Sequence, residues 1–122
     1  MRSSTPKPSK QRGDVYWYSF SSTVKRRPGI IVARENLGDY TILCYVSESE
    51  PALAYQSVVA VSALGSLRDH IHGFVRGDML FTVLKKDLKA EDYVAHASLE
   101  DMVAVGRAIS FALELNLVTP RT

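Results

Sequence analysis

A chain of 122 residues with 46% apolar side chains is the size of one ordinary domain and has enough apolar surface for one packed core. No run reaches the roughly eighteen apolar residues that a membrane-spanning helix needs, and the polar start lacks the apolar centre of a signal peptide, so a cytoplasmic chain with no membrane attachment is expected. The net charge of +2 is unevenly placed: Arg2, Lys7, Lys10 and Arg12 meet no acid in the first twelve residues, while the other 110 hold 11 cations against 13 anions, so any binding of nucleic acid requires a local patch.

Residues 1–11, rich in Ser, Pro and Lys, have the composition of a disordered basic tail that buries too little to offset its ordering entropy, and one domain is expected over 12–122. At Asp14 the pattern changes to DVYWYSF, dense in aromatic and β-branched residues, which predicts a strand with Val15, Trp17 and Ser19 on one face and Tyr16, Tyr18 and Phe20 on the other. After the loop SSTVKRR, Pro28 opens a second strand, PGIIVAR, at an entry position where its missing N–H does least harm. ENLGDY then reads as a hairpin turn, with Asn36 and Gly38 suited to a tight reversal.

YTILCYV, residues 40–46, is the third strand, and it carries the only cysteine, Cys44, in an apolar run that suits a reduced, buried thiol. SVVAVSAL from Ser57 and GDMLFTVL from Gly77 supply two more strands, separated by a polar interval with His70 and His72. SLEDMVAVGRAISFALEL reads as a helix capped by Ser98, with Glu100 and Asp101 favoured by the helix dipole and Met102, Val105, Ile109, Ala112 and Leu113 as its inward stripe. Four or five short strands with hairpin-like links and one final helix describe a strongly bent antiparallel sheet, curled into a half-open barrel, with a helix packed on it.

No glycine-rich phosphate loop, zinc-binding cysteine pattern or Gly-x-Ser-x-Gly elbow is present, and the pair His70 and His72 would need a third donor that only His96, an acid or Cys44 could supply; loop histidines are ordinarily exposed and unligated, so no metal or cofactor is expected. The feature that stands out is Lys25-Arg26-Arg27, aimed at the mouth of the second strand; from spacing alone it reads as a solvated turn.

The succession RGDVYWYSF, RRPGIIVAR, a strand ending in Ser47, GDMLFTVLKKDL and a helix opening SLEDM resembles the MazF/PemK family of toxin endoribonucleases. Members open on an R-G-D/E strand with an aromatic pair, enter the second strand through an R-P dipeptide, place Thr or Ser at the end of the third, and follow a late D-Q-I-R-T-type strand with a helix of acidic start. The resemblance implies an α+β fold, a small strongly curved antiparallel β-barrel of the SH3-like CcdB/MazF toxin type with a C-terminal helix. It also implies metal-independent cleavage of single-stranded RNA, in which the ribose 2′-OH attacks the adjacent phosphate.

On the matching positions, Arg27 and Ser47 would carry the chemistry, and Thr23, Lys25, Arg26, Ser49, Asp78, Phe81 and Thr82 would contact RNA. An arginine suits the first role because its planar fork donates paired bonds to a phosphate and stays charged. Two departures are visible: the loop SSTVKRR is about five residues shorter than the family's, and Phe81 stands where arginine is usual. The resemblance further implies a two-fold homodimer neutralised by a cognate antitoxin. Two other functions remain open, a non-cleaving relative that binds a protein target as the CcdB group does, and a small-barrel RNA-binding module.

Overall fold

The computed structural model describes residues 10–35, 37–51 and 56–113. In chain order these form β1 (Asp14–Tyr18), β2 (Arg27–Ile31), β3 (Tyr40–Ser47), β4 (Val58–Ala60), β5 (Phe74–Leu84), β6 (Tyr93–His96) and α1 (Leu99–Leu113). The six strands make one antiparallel sheet in the order β4-β5-β3-β2-β1-β6, curled into a half-barrel with the C-terminal helix on it. This is the architecture expected from the sequence, with one strand more.

The extra strand is β6, which adds to the free edge of β1 through Asp14↔His96 and Val15↔Ala95. The expected tail lies outside the described residues except for Lys10 and Gln11, and Asn36 of the hairpin turn lies outside them too. The fourth strand is shorter than expected, because the chain turns at Val61–Ala63 and sends Val61 and Leu64 into the core. The fifth is longer and starts at Phe74, ahead of Gly77.

The curl originates where β3 meets β5. Cys44 pairs with Leu80 but Val46 pairs with Val75, so β5 spends three more residues than β3 over the same stretch. Such an excess bends a strand and increases its twist. Gly77 sits in the bend: its N–H donates to the Ser57 carbonyl at 2.7 Å, and a side chain there would meet the Ala108 backbone at 2.7 Å. The helix backbone therefore rests directly on the strand.

Both faces of the sheet are covered. Val15, Ile30, Cys44, Val46 and Val75 pack against Met102 and Val105 of α1, joined by Val61, Leu64 and Leu67 from the β4–β5 connection. On the opposite face Tyr16, Ile31, Leu43 and Val83 form a second, smaller core under Leu88, with Tyr18, Phe20 and Phe81 at its margin. The alternation predicted for β1 is thus observed, Val15 turning to the helix and Tyr16, Tyr18 and Phe20 to the other side.

The helix stripe needs correction. Asp101, Met102, Val105 and Ala108 are buried, whereas Ile109 and Ala112 are only partly covered and Leu113 is exposed. The contact with Gly77 makes Ala108 an inward position, and the last turn continues beyond it. Helix residues 114 and 115 of the expected span lie outside the described residues.

Gly106 has room for a methyl group, which would make ordinary van der Waals contact with Arg12 Nη2 at 3.8 Å. Gly106→Ala is therefore expected to stabilise the protein by about 1 kcal/mol through helix propensity. A thermal melt checks this; a midpoint that fails to rise would mean the helix needs the glycine.

The ends of the sheet are clasped by polar contacts. In the R-G-D segment, Arg12 Nη1 donates to the Val32 carbonyl at 2.6 Å, and Gly13 exchanges backbone bonds with Ile31 and Ala97 at a φ of 99°. Asp14 meets His96 Nδ1 at 2.7 Å. Ser98 caps α1 as expected, its hydroxyl accepting the Asp101 N–H at 3.1 Å. Asp101 does more than answer the helix dipole: its carboxylate accepts from the Gly65, Ser66 and Leu67 amides and from the Ser66 hydroxyl. Those bonds fix the turn that leads into the segment His72–Gly73.

Candidate active site

β2 and β3 bring Arg27 and Ser47 to one end of the sheet. Tyr18 pairs with Arg27 on one side of β2, and Gly29 pairs with Tyr45 on the other, so continuing that ladder by two residues puts Ser47 across from Arg27. Strand alternation then places Arg27, Gly29 and Ile31 on the same face as Leu43, Tyr45 and Ser47. The guanidinium is held rather than free: Arg27 is 5% exposed, its Nε donates to the Val46 carbonyl at 3.0 Å and its Nη2 to the His72 carbonyl at 3.1 Å. Nη1 makes no hydrogen bond among the described residues.

Ser47, 8% exposed, donates its hydroxyl proton to the Ser49 carbonyl at 2.9 Å, which leaves the oxygen lone pairs available as acceptors. Gly73 adjoins both residues. A Cβ there would lie 3.0 Å from Arg27 Nη2 and would collide with the Ser47 carbonyl, and its φ of 121° is one that other residues rarely adopt. The arginine head and the serine backbone therefore border one point. A cleft of about 480 Å³ opens beside it, lined by His72 and Gly73 together with Glu48, Ser62, Arg68 and Asp69.

The other candidates are distributed as follows. Lys25 is exposed and pairs with Glu48 at 3.7 Å, while Arg26 pairs with Asp92. The cluster at the strand mouth thus splits three ways, and only Arg27 turns into the fold. Thr23 lies in the exposed loop, bonded to Ser21, and Ser49 contributes its carbonyl to Ser47. Asp78 is clamped by Arg76 through bonds of 2.9 and 2.7 Å, and that partner holds its carboxyl below the usual range.

Phe81 faces the Arg27 side of the sheet through its pairing with Leu43. It completes a patch with Phe20 at 4.8 Å and Tyr45 at 6.2 Å, and Phe20 in turn touches Tyr18. Thr82, the next residue, falls on the opposite face and is not brought to Arg27. The signal for the aromatic patch was in the sequence, in the alternation of β1. Arg68, His72 and Gly73 were not singled out for this site, because only the β3–β5 register carries the preceding segment to Arg27.

Among the described residues no group of three His, Cys, Asp or Glu side chains is arranged to hold a metal ion. Cys44 is buried, and burial, aided by the charge of Asp78, pushes its thiol up to about 12. It is a packing residue, unable to supply a thiolate near neutral pH. Among the described residues no helix is long and apolar enough to cross a membrane.

The fold has counterparts among known proteins. An endoribonuclease in complex with its cognate antitoxin, from a mycobacterial species, superposes with a TM-score of 0.70 and 22% identity, over 90% of this chain and 98% of that one. The Mycobacterium tuberculosis toxin MazF-mt6 superposes at 0.63 with 18% identity, over 83% and 96% of the two chains. A MazE-MazF structure from Deinococcus radiodurans gives 0.63 with 20% identity, over 89% and 97%. At such identities the likeness concerns the fold. None of the curated proteins matches the chain by sequence. The family described as PemK-like, MazF-like toxin of type II toxin-antitoxin system matches residues 11–113, and with the fold and the R-P strand entry in agreement, the chain belongs to that family.

Proposed function

We propose that the protein is an endoribonuclease toxin that cuts single-stranded RNA without a metal ion, at the end of the sheet where Arg27 meets Ser47. The observation that carries this reading is the guanidinium fixed by the Val46 and His72 carbonyls beside a serine oxygen and an open cleft. Two of its N–H groups are spent on holding the side chain, and the Nη1 donors remain for a phosphate. Positioning of this kind is what a charge-stabilising donor requires, since it costs no reorganisation as charge develops.

In the reaction the ribose 2′-OH attacks the adjacent phosphorus, the P–O5′ bond breaks, and the products carry a 2′,3′-cyclic phosphate and a 5′-OH. Arg27 stabilises the charge on the phosphoryl oxygens, and the Ser47 oxygen accepts a hydrogen bond from the attacking 2′-OH. His72, in the cleft wall, offers an imidazole able to take and return a proton. Tyr45 and Phe81 supply faces on which an unpaired base can stack. Phe81 thereby takes a base-contacting role where arginine would have met a phosphate. Lys25 and Arg26, once released from Glu48 and Asp92, attract neighbouring phosphates, and Thr23 and Ser49 border the same groove.

The proposed partners are a cognate antitoxin, a second copy of the chain in a two-fold dimer, and RNA in the cytoplasm. The exposed apolar side chains Leu99, Val103, Phe111 and Leu113 on α1 support the first two. Light scattering at micromolar concentration is expected to give twice the chain mass, and a monomer mass would remove the dimer. Incubating purified protein with a long unstructured RNA in EDTA is expected to release fragments ending in cyclic phosphate and 5′-OH. Salt-dependent binding with no cut ends would instead identify an RNA-binding module.

A further inference from the structure

At the other end of the sheet from Arg27 lies a second concentration of positive charge, in a cleft of about 300 Å³. Its walls carry Lys10, Arg12, Arg34 and Lys85 against one acid, Glu35. Three backbone contacts assemble them. The Arg12 head is drawn onto the Val32 carbonyl at 2.6 Å, the Val32 N–H bonds the Ile42 carbonyl at 3.0 Å, and the Lys85 N–H bonds the Asp39 carbonyl at 2.8 Å. Among the described residues none of these four cations has an ion pair. Like charges gathered without a counter-charge repel one another, and a bound anion relieves that repulsion.

Thr41 supplies the second observation. It lines the same cleft and is 3% exposed, yet its hydroxyl has no hydrogen-bond partner among the described residues. The oxygen itself opens to the cleft, since Tyr16 Oη is the only fully buried side-chain polar atom without a partner among the described residues, so the Thr41 hydroxyl is free to donate to an acceptor bound there. A donor hydroxyl beside unpaired guanidinium and ammonium groups is the donor set that a tetrahedral oxyanion uses.

We propose that this cleft is a phosphate-binding site, separate from the Arg27 site, in which Thr41 donates to a phosphoryl oxygen and Lys10, Arg34 and Lys85 neutralise its charge. The phosphate comes either from a small phosphate compound or from the backbone of a polynucleotide. Six residues of β2 and its extension separate Arg27 from Ala33 at the cleft, about 20 Å along an extended strand, so one phosphate cannot serve both sites.

The test is an NMR titration of the full chain with inorganic phosphate at constant ionic strength, chloride serving as the control anion. Saturable shifts are expected at the amides of Ala33, Arg34, Thr41 and Lys85, absent with chloride. Thr41→Val is expected to weaken phosphate about tenfold, the loss of one charge-assisted bond. The same variant should melt close to the parent, because the hydroxyl bonds no protein group among the described residues, so weaker phosphate binding cannot be ascribed to lost folding. Arg34→Ala and Lys85→Ala should each weaken phosphate about fivefold, as expected for exposed charges worth about 1 kcal/mol.

A single-stranded RNA oligomer added to the phosphate-loaded protein assigns the source: displacement at these amides identifies a backbone phosphate, and no displacement a small phosphate compound. Shifts equal to those in chloride, or undiminished in Thr41→Val, overturn the proposal. Cleavage is not read in this experiment, so its failure leaves the Arg27 reading untouched.

Discussion

Arg27→Ala is expected to lower RNA cleavage by about a thousandfold or more, the range found when a fixed donor to a developing oxyanion is removed. The variant also strips the Val46 and His72 carbonyls of their donor. That loss costs about 2 kcal/mol of stability, since buried acceptors without partners are unfavourable. Rates must therefore be measured well below the variant's own melting temperature. Arg27→Lys separates the two effects: a lysine keeps the charge but not the fork, so cleavage should still fall about a hundredfold while most of the stability returns. A lysine variant as active as the parent would reduce the guanidinium to a source of charge, and an active alanine variant would remove it from the mechanism.

Asp101→Ala is expected to cost about 3 kcal/mol, the largest stability loss predicted for a single side chain here. The carboxylate is 2% exposed and answers three backbone amides and one hydroxyl, at 2.6 to 3.0 Å. Burial alone would raise its pKa, but the bonds from Ser66, Gly65 and Leu67 together outweigh burial and hold it below the ordinary carboxyl value. Because the folded value is depressed, the stabilisation is full above the unfolded carboxyl pKa of about 3.9 and is lost as pH falls through the folded value. Acid titration of unfolding should therefore show the parent losing stability below about pH 4 and Asp101→Ala losing correspondingly less. Equal acid slopes would mean that the carboxylate contributes by shape rather than charge.

Most of the sheet was legible in the sequence, because β1, β2 and β3 are dense in β-branched and aromatic residues and end on recognisable breakers. β6 was not, since YVAH follows the charged run KKDLKAED and is a strand only by pairing with β1. The early start of β5 was hidden by Arg76 and Gly77, a charged residue and a glycine that interrupt the apolar pattern begun by Phe74 and Val75. Asp101 looked like a helix-dipole residue because its partners at Gly65 to Leu67 are remote in sequence.

At the candidate site, the Arg27–Pro28 strand entry and Ser47 could be named from a resemblance. That Arg27 folds inward onto the His72 carbonyl, while Lys25 and Arg26 pair with acids elsewhere, required the three-dimensional register. Thr82 stands apart from Arg27 for a simpler reason: it neighbours Phe81, and neighbours on a strand face opposite ways.

The pairing of β1 with β6 has a consequence for synthesis. Asp14 and His96 stand 82 positions apart, and closing a loop of that length costs about 4 kcal/mol of chain entropy. On the ribosome the N-terminal strand emerges early and waits with one side unpaired until the final strand is translated. A product that terminates before Tyr93 leaves the Tyr16 ring without its edge-on neighbour and the first strand open to pairing with other chains. Proteolysis or aggregation, rather than activity, is the fate such a fragment should meet, so a competent sheet is expected only after synthesis has passed His96.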